Sequence, residues 1–564
     1  MTEEKIMTGY PSVDKPWLKY YTQEQINAPL PHMSAYEYLK KQNAERLDYL
    51  AIDSEVGCYT YGELFNQIDA TAAALWSMGI SKGKKVLAMF PALPHESFLF
   101  YGVDAIGSAL CQIAPYYTAT EVCNFANQFS ADLFFVFDFI LTSEMEEMIY
   151  KNTSVKHIIV VNFMPLQKND ERTITWEAFI KAGEGVTLPE IDRNTANDVL
   201  FFASTGGTTG EPKRVMLSDD SFNHATHQYI NSPLIYRAGQ KCLRLWAIYS
   251  GAASFANHHM PLCCGMICVL RNMKELTDFP EILLSTKPNQ LILIPPAFDV
   301  MENSTLLKEQ DLSFIVHAGC GGLSITPQFE ERVNQFFKRH NIDTFLGYGW
   351  GCTESATVGS FRVNKETTRV GTAGIPFVKA IVSAFDTETG NECTYGQEGE
   401  LCIYSPGLML GYYNSPEMTA KVLRTHPDGT KWLHTGDLGT VDAEGFVRVN
   451  GRMTRMILIA HNAKIYPAAI ESAISQINGV KEVVFCAIPN KNGDGFFTPV
   501  CYIVPDNMTE AEIVKDAIEQ FCQLKYAENC RPKRVFVREY LPLNKGNKPD
   551  ILALEKEAEI AMAE

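Results

Sequence analysis

Thr205-Gly206-Gly207-Thr208-Thr209-Gly210-Glu211-Pro212-Lys213 stands just after the apolar run Val199-Leu200-Phe201-Phe202-Ala203. The apolar run predicts a buried strand. The nine-residue stretch holds three glycines, three threonines and a lysine, a composition that suits a loop wrapped around phosphates. Glycine lets backbone N–H groups approach phosphate oxygens, threonine hydroxyls add donors, and Lys213 adds charge. The spacing is not Gly-x-x-x-x-Gly-Lys-Ser/Thr, and Val215-Met216-Leu217 predicts a strand next instead of a helix. Taken alone, the stretch also reads as a flexible surface loop.

The flanking sequence alternates. Thr60-Tyr61-Gly62-Glu63 has the Thr-x-x-Glu form of a capping box and predicts a helix to about Ser77. Lys85 to Phe90 predicts a strand and His95 to Ile106 a helix; Glu121–Gln128 and Leu133–Phe137 repeat the pattern. Strands alternating with helices predict an α/β fold with parallel or mixed sheets flanked by helices. From Val483 the character changes: two strands, Val483–Ala487 and Val500–Val504, flank a polar loop. A helix from Thr509 to about Leu524 and a short strand, Val535–Val537, follow. This predicts a small α+β unit of about 110 residues, an ordinary domain size.

Composition narrows the function classes. The chain has 564 residues and a formal net charge of −17, which disfavours nucleic acid and anionic membranes as partners. No apolar stretch approaches the roughly 20 residues of a membrane span, and the polar Met1-Thr2-Glu3-Glu4-Lys5 start has no signal-peptide core. A cytoplasmic protein is expected. None of the 15 cysteines forms a Cys-x-x-Cys pair, so reduced, buried thiols are expected instead of zinc ligands or disulfides.

Four more segments follow the glycine-rich loop in order: Trp350-Gly351-Cys352-Thr353-Glu354, Leu433-His434-Thr435-Gly436-Asp437, Asn450-Gly451-Arg452 and Leu541-Pro542-Leu543-Asn544-Lys545-Gly546-Asn547-Lys548. With them the chain resembles the adenylate-forming enzymes (acyl-CoA synthetases, peptide-synthetase adenylation domains and luciferases), and acyl-CoA synthetases most. A weaker match runs from Gly399-Glu400-Leu401 to Gly411-Tyr412. The resemblance implies a two-step reaction. A carboxylate attacks the α-phosphate of ATP and releases pyrophosphate; a thiol, that of CoA, then takes the acyl group and releases AMP.

It also implies roles. Thr205, Gly206, Gly207, Thr208, Thr209, Gly210 and Lys213 would hold ATP phosphates. Glu354 would hold Mg²⁺, a hard ion that takes one or two carboxylates plus phosphate oxygens, and Thr353 would donate to the α-phosphate. Trp350, in place of the family's usual Tyr, would stack on adenine, with Gly321 and Gly322 of Gly319-Cys320-Gly321-Gly322-Leu323 as the facing wall. Asp437 would bind the ribose diol, Arg452 the ribose or phosphate, and Lys548 the α-phosphate and attacking carboxylate. Without the resemblance these residues read as a core tryptophan, turn residues and solvated charges. A hinge at Arg455 is implied as well, dividing an N-terminal adenylation domain, 1–454, from a mobile C-terminal domain, 455–564.

The chain departs from the family pattern at Asn544, Asn547 and Arg455, and in the Met456–Pro467 segment, where His461 or Asn462 stands in place of glycine. Ala247-Ile248-Tyr249-Ser250-Gly251-Ala252-Ala253-Ser254 aligns with the acyl pocket and carries no acid. That argues against an amino-acid substrate. Small Ser250 and Gly251 suggest room for a hydrophobic or aromatic monocarboxylate. The expected enzyme is an AMP-forming acid:CoA ligase. Two alternatives stand beside it: an adenylating enzyme that loads a carrier-protein phosphopantetheine, and a degraded nucleotide-binding protein.

Overall fold

The computed structural model describes residues 7–165, 170–204, 213–234, 236–357, 359–455, 457–460, 463–465, 467–490, 496–544 and 548–563. Thr205 to Pro212 of the glycine-rich loop lie outside the described residues, as do His461, Asn462 and Lys545 to Asn547.

Local signals placed the elements well. The Tyr61–Ser77 helix starts at Thr60, whose Oγ1 accepts from Glu63 N at 3.2 Å while Glu63 returns a bond to Thr60 N at 2.8 Å. Leu64, Phe65, Ile68, Ala72 and Leu75 bury one stripe of it, the 3.6-residue spacing of a core-facing helix. Helices Pro94–Ala105 and Ala119–Phe129 and strands Lys85–Met89 and Leu133–Phe137 sit where the alternation predicts them.

Among the described residues two large sheets form the body. An eight-stranded sheet has the order Gly411–Tyr412, Arg214–Ser218, Val199–Ser204, Ala109–Gln112, Lys85–Met89, Leu133–Phe137, His157–Val161, Thr173–Thr175. It is parallel except at its Arg214–Ser218 and Gly411–Tyr412 end. A nine-stranded sheet runs Ile375–Pro376, Ser360–Phe361, Leu346–Trp350, His317–Cys320, Gln290–Leu293, Lys241–Arg244, Ile267–Leu270, Leu50–Ser54, Gly57–Thr60. A third, antiparallel sheet carries Lys431–Val441 between Gly399–Tyr404 and both Leu423–Thr425 and Val447–Arg452.

The C-terminal part is α+β. Strands Val480–Pro489, Phe497–Pro505 and Val535–Val537 form a sheet packed by Pro467–Ile474, Ala511–Lys525 and Ile551–Ala563. Among the described residues, its apolar clusters begin at Ile457, and those of the body draw on nothing beyond Val449. The fold class is thus α/β with a small α+β C-terminal domain. No helix among the described residues is long and apolar enough to cross a membrane.

Candidate active site

The Leu433–Asp437 motif lies in the long Lys431–Val441 strand, and Asp437 pairs in register with Arg452 of the neighbouring strand. That register sets Arg452 Nε 3.0 Å from Asp437 Oδ1. Trp350, at the end of its own strand, donates its indole N–H to Asp437 Oδ2 at 2.8 Å. The tryptophan expected against adenine therefore also fixes the carboxylate expected at the ribose. Burial holds the Asp437 carboxyl above its ordinary range, against the pull of Arg452, the indole bond and Lys548.

Gly436 turns the strand at φ +74°, a conformation glycine takes without steric cost. Its N–H donates to Glu400 Oε1 at 2.9 Å, while Glu400 Oε2 meets His434 Nδ1 at 2.7 Å. Cys402 Sγ lies 3.3 Å from the same imidazole nitrogen. Glu400 thus pins the backbone beside Asp437. The sequence reading gave the Gly399-Glu400-Leu401 segment no role. An acid inside an apolar strand was the available signal, because such a group stays buried only with partners.

The Trp350–Glu354 motif ends in a turn of 3₁₀ helix, Thr353–Ser355. Ala356 and Thr357 follow with φ +48° and +66°, left-handed values that cost a non-glycine residue about 1–3 kcal/mol each. The turn points Glu354 at Tyr412, whose hydroxyl donates to Glu354 Oε1 at 2.7 Å. Lys213 Nζ sits 4.8 Å from the centre of the Tyr412 ring. Tyr412 therefore links the lysine that closes the glycine-rich stretch to the acid of the next motif. The weaker Gly411-Tyr412 match carried this contact unrecognised. As a donor set, one carboxylate with a tyrosine on one oxygen fits a magnesium ion that completes its shell with phosphate and water oxygens.

Gly321 and Gly322 follow the His317–Cys320 strand. Gly322 takes φ +80°, and a Cβ on Gly321 would lie 3.4 Å from Gly349 O. The pair thus lies beside the strand that leads into Trp350. Ser250 caps the Gly251–Ser254 helical turn and bridges Ser204 at the end of the Val199–Ser204 strand. Gly251 has a tighter reason to be glycine than pocket volume: a Cβ there would stand 2.9 Å from Thr353 Cγ2 and 3.0 Å from its Cα. A larger residue would push Thr353 before it filled any pocket. The segment is held from below by a fully buried pair, Glu96 and Arg244, 2.7 Å apart. Glu96 also accepts from Ile248 N at 3.0 Å. Sequence reasoning missed this pair, because Lys241-Cys242-Leu243-Arg244 carries no pattern that marks its arginine as buried.

Lys548 comes from the C-terminal domain. Among the described residues, Asn544 N donates to Lys548 O at 2.8 Å, Asp550 N donates to Pro542 O at 2.8 Å, and Leu543 bridges Pro549. Burial, then the like charge of Arg452, lower the Lys548 amine below the ordinary lysine range, and Asp437 offsets them in part. Lys548 thus lies within electrostatic reach of Arg452 and Asp437. Arg455, the expected hinge, pairs with Glu471 at 2.6 Å and donates to Phe485 O at 2.9 Å; its guanidinium is anchored on the C-terminal side.

The model of the AMP-binding enzyme family matches residues 39–413, and the chain belongs to that family. Its sequence relatives include the long-chain-fatty-acid–CoA ligase of Salmonella typhimurium, 26% identical, with 96% of this chain and 97% of that protein covered. They also include 4-coumarate–CoA ligase 2 of Nicotiana tabacum, 25% identical, with 89% and 90% covered. Among solved structures, the anthranilate CoA ligase AuaEII in complex with anthranoyl-AMP superposes with a TM-score of 0.82 at 19% identity, covering 96% of this chain and all of that one. ATP-bound MatB from Rhodopseudomonas palustris gives 0.79 at 20% identity, covering 93% and 99%. The adenylate-forming resemblance and the two-domain fold are borne out.

Proposed function

We propose that the protein is an ATP-dependent acid:CoA ligase acting on a hydrophobic or aromatic monocarboxylate. One observation carries the reading: Trp350 and Arg452 of two separate motifs hold the Asp437 carboxylate of a third, at 2.8 and 3.0 Å, with Lys548 of the C-terminal domain in electrostatic reach of that cluster. CoA ligases among the sequence relatives support the class.

In the first half-reaction the acid's carboxylate oxygen bonds to the α-phosphorus and the bond to pyrophosphate breaks. Two anions meet in that step, so fixed positive charge and donors lower its barrier. Lys548 would neutralise the α-phosphate and the incoming carboxylate, and Thr353 would donate to the same phosphate. Asp437, oriented by Trp350, would accept from the ribose hydroxyls, with Arg452 beside it. Lys213 and the Thr205–Gly210 loop would hold the outer phosphates. A magnesium ion at Glu354 would supply charge neutralisation. In the second half the thiol sulfur bonds to the acyl carbon and AMP leaves. Lys548 must withdraw to admit the thiol, and we place the pivot at Arg455, between domains 1–454 and 455–564. Ser250 and Gly251 would border the acyl end, and a cytoplasmic location fits such a reaction.

Acid-dependent ATP–pyrophosphate exchange, followed by AMP release with CoA, tests the reading. Exchange without CoA-dependent AMP release, but with acylation of a carrier-protein phosphopantetheine, would replace CoA with the carrier. Nucleotide binding without exchange for any acid would make the chain a non-catalytic binder.

A further inference from the structure

The nine-stranded sheet has a bare patch on one face. Gly319 pairs in register with Gly347 on the adjacent parallel strand. Gly321 and Gly349 lie two residues further along each, and alternate residues share a face. The opposite face, with Ala318, Cys320 and Leu346, is packed in an apolar cluster. Four neighbouring positions therefore present no side chain at all. Gly319 and Gly347 are buried, while Gly321 and Gly349 are half-buried, so the patch opens toward the Trp350–Glu354 motif and closes inward. His317, two residues before Gly319, marks the closed end, and neither of its ring nitrogens has a hydrogen-bond partner among the described residues. Burial lowers that imidazole to about 4, so the end is uncharged at neutral pH.

Two side chains cover the patch: His317 at its closed end and Phe361 along its length. Phe361, paired with Gly349, lays its ring over three of the glycines. A Cβ would meet that ring at 3.4 Å from Gly319, 3.0 Å from Gly347 and 2.3 Å from Gly349. The ring also stacks on His317, with centroids 6.1 Å apart and planes at 26°. Glycine in a strand interior weakens it and marks close approach of a ligand or other group. Here the approaching groups are two rings: His317 at the closed end, and the half-buried Phe361, which alone also covers Gly349 and can thus set the depth of the trench.

We infer that Phe361 sets the length and bulk of the acid that the protein accepts, as a plug in a glycine-floored trench running from the Trp350–Glu354 motif to His317. The inference rests on the ligase reading and adds to it the residue that selects the tail. With the ring in place the trench admits short or compact acids; with it removed, longer tails lie along the glycines.

The test is kcat/KM for a series of straight-chain and aryl acids, by AMP release with CoA, in wild type and Phe361→Ala. The ratio of the longest accepted acid to the shortest should rise at least about tenfold, the scale of a methylene or two of extra burial. Gly347→Ala on the Phe361→Ala background puts a methyl back on the trench floor and should reverse the gain. If thermal melts show that Phe361→Ala does not fold, Phe361→Leu carries the same ratio test with a smaller rise. An unchanged ratio in a folded variant that still supports pyrophosphate exchange overturns the plug and leaves the ligase reading standing. No exchange with any acid in wild type overturns both.

Discussion

Asp437 and Lys548 lie within electrostatic reach of each other but are held by different means. Asp437 sits in a long strand, paired in register with Arg452, clasped by the Trp350 indole, and flanked by a glycine whose N–H is pinned by Glu400. Among the described residues, Lys548 is tied in by backbone bonds from Asn544 N to Lys548 O and from Asp550 N to Pro542 O and by an isolated bridge, in a domain with its own apolar clusters. On the proposed reading the body would carry a preorganised wall and the C-terminal domain would deliver a charge. A site with one fixed and one delivered half suits two chemical steps with different needs, because a rigid-body turn at a few residues changes the second half without disturbing the first.

Removing the delivered charge breaks the contrast most. Lys548→Ala should slow acid-dependent pyrophosphate exchange by about 10²–10³, the scale for one preorganised charge stabiliser. Thioester formation from pre-made acyl-adenylate should fall far less, and equal losses in both halves would remove Lys548 from the first step alone. Restricting delivery comes next. Proline fixes its own φ and constrains the residue before it, so Arg455→Pro should leave exchange near normal and slow thioester formation strongly. The substitution also removes the pair with Glu471, so a thermal melt accompanies the assay. A stable variant making acyl-CoA at the wild-type rate would move the pivot elsewhere.

The fixed half predicts a binding effect instead. Asp437→Ala should weaken ATP and AMP by about 1.5–3 kcal/mol, the range for hydrogen bonds to charged groups, and leave affinity for the acid unchanged. Calorimetry with unaltered ATP affinity would take Asp437 out of the ribose site.

The smallest effect lies in the pH profile. On the proposed reading Lys548 would act as an ammonium, and burial with Arg452 lowers its amine below the ordinary range. The proton is therefore lost sooner as pH rises, and exchange should decline on the alkaline side earlier than a solvated lysine would allow. Arg452→Gln removes a like charge, so that limb should shift to higher pH. A limb that stays put or moves lower would separate Arg452 from Lys548.

Much of this was legible because helix caps, strand runs and glycine-rich motifs are local. The Thr60–Glu63 capping box, the Lys85–Met89 and Leu133–Phe137 strands and the C-terminal Val480–Pro489 and Phe497–Pro505 pair follow from neighbours a few residues apart. The order of the motifs was enough to place the chain among adenylate-forming enzymes. What the local pattern left open is how those motifs touch.

Tyr412 reaches Glu354 across 58 positions and Trp350 reaches Asp437 across 87. Such contacts depend on the register of strands far apart in sequence, where a one-residue slip would turn each side chain to the other face. The same holds for Gly251, a pocket residue by sequence and a point of close approach to Thr353 in the fold. Composition and spacing determined the element order, the motif chemistry and the absence of an acid from the expected acyl segment. Only tertiary structure decided that Glu400 would pin Gly436, that Glu96 would hold Ile248, and that Phe361 would lie across the glycines. Those outcomes come from sheet registers and packing between distant segments, which no local window of the chain contains.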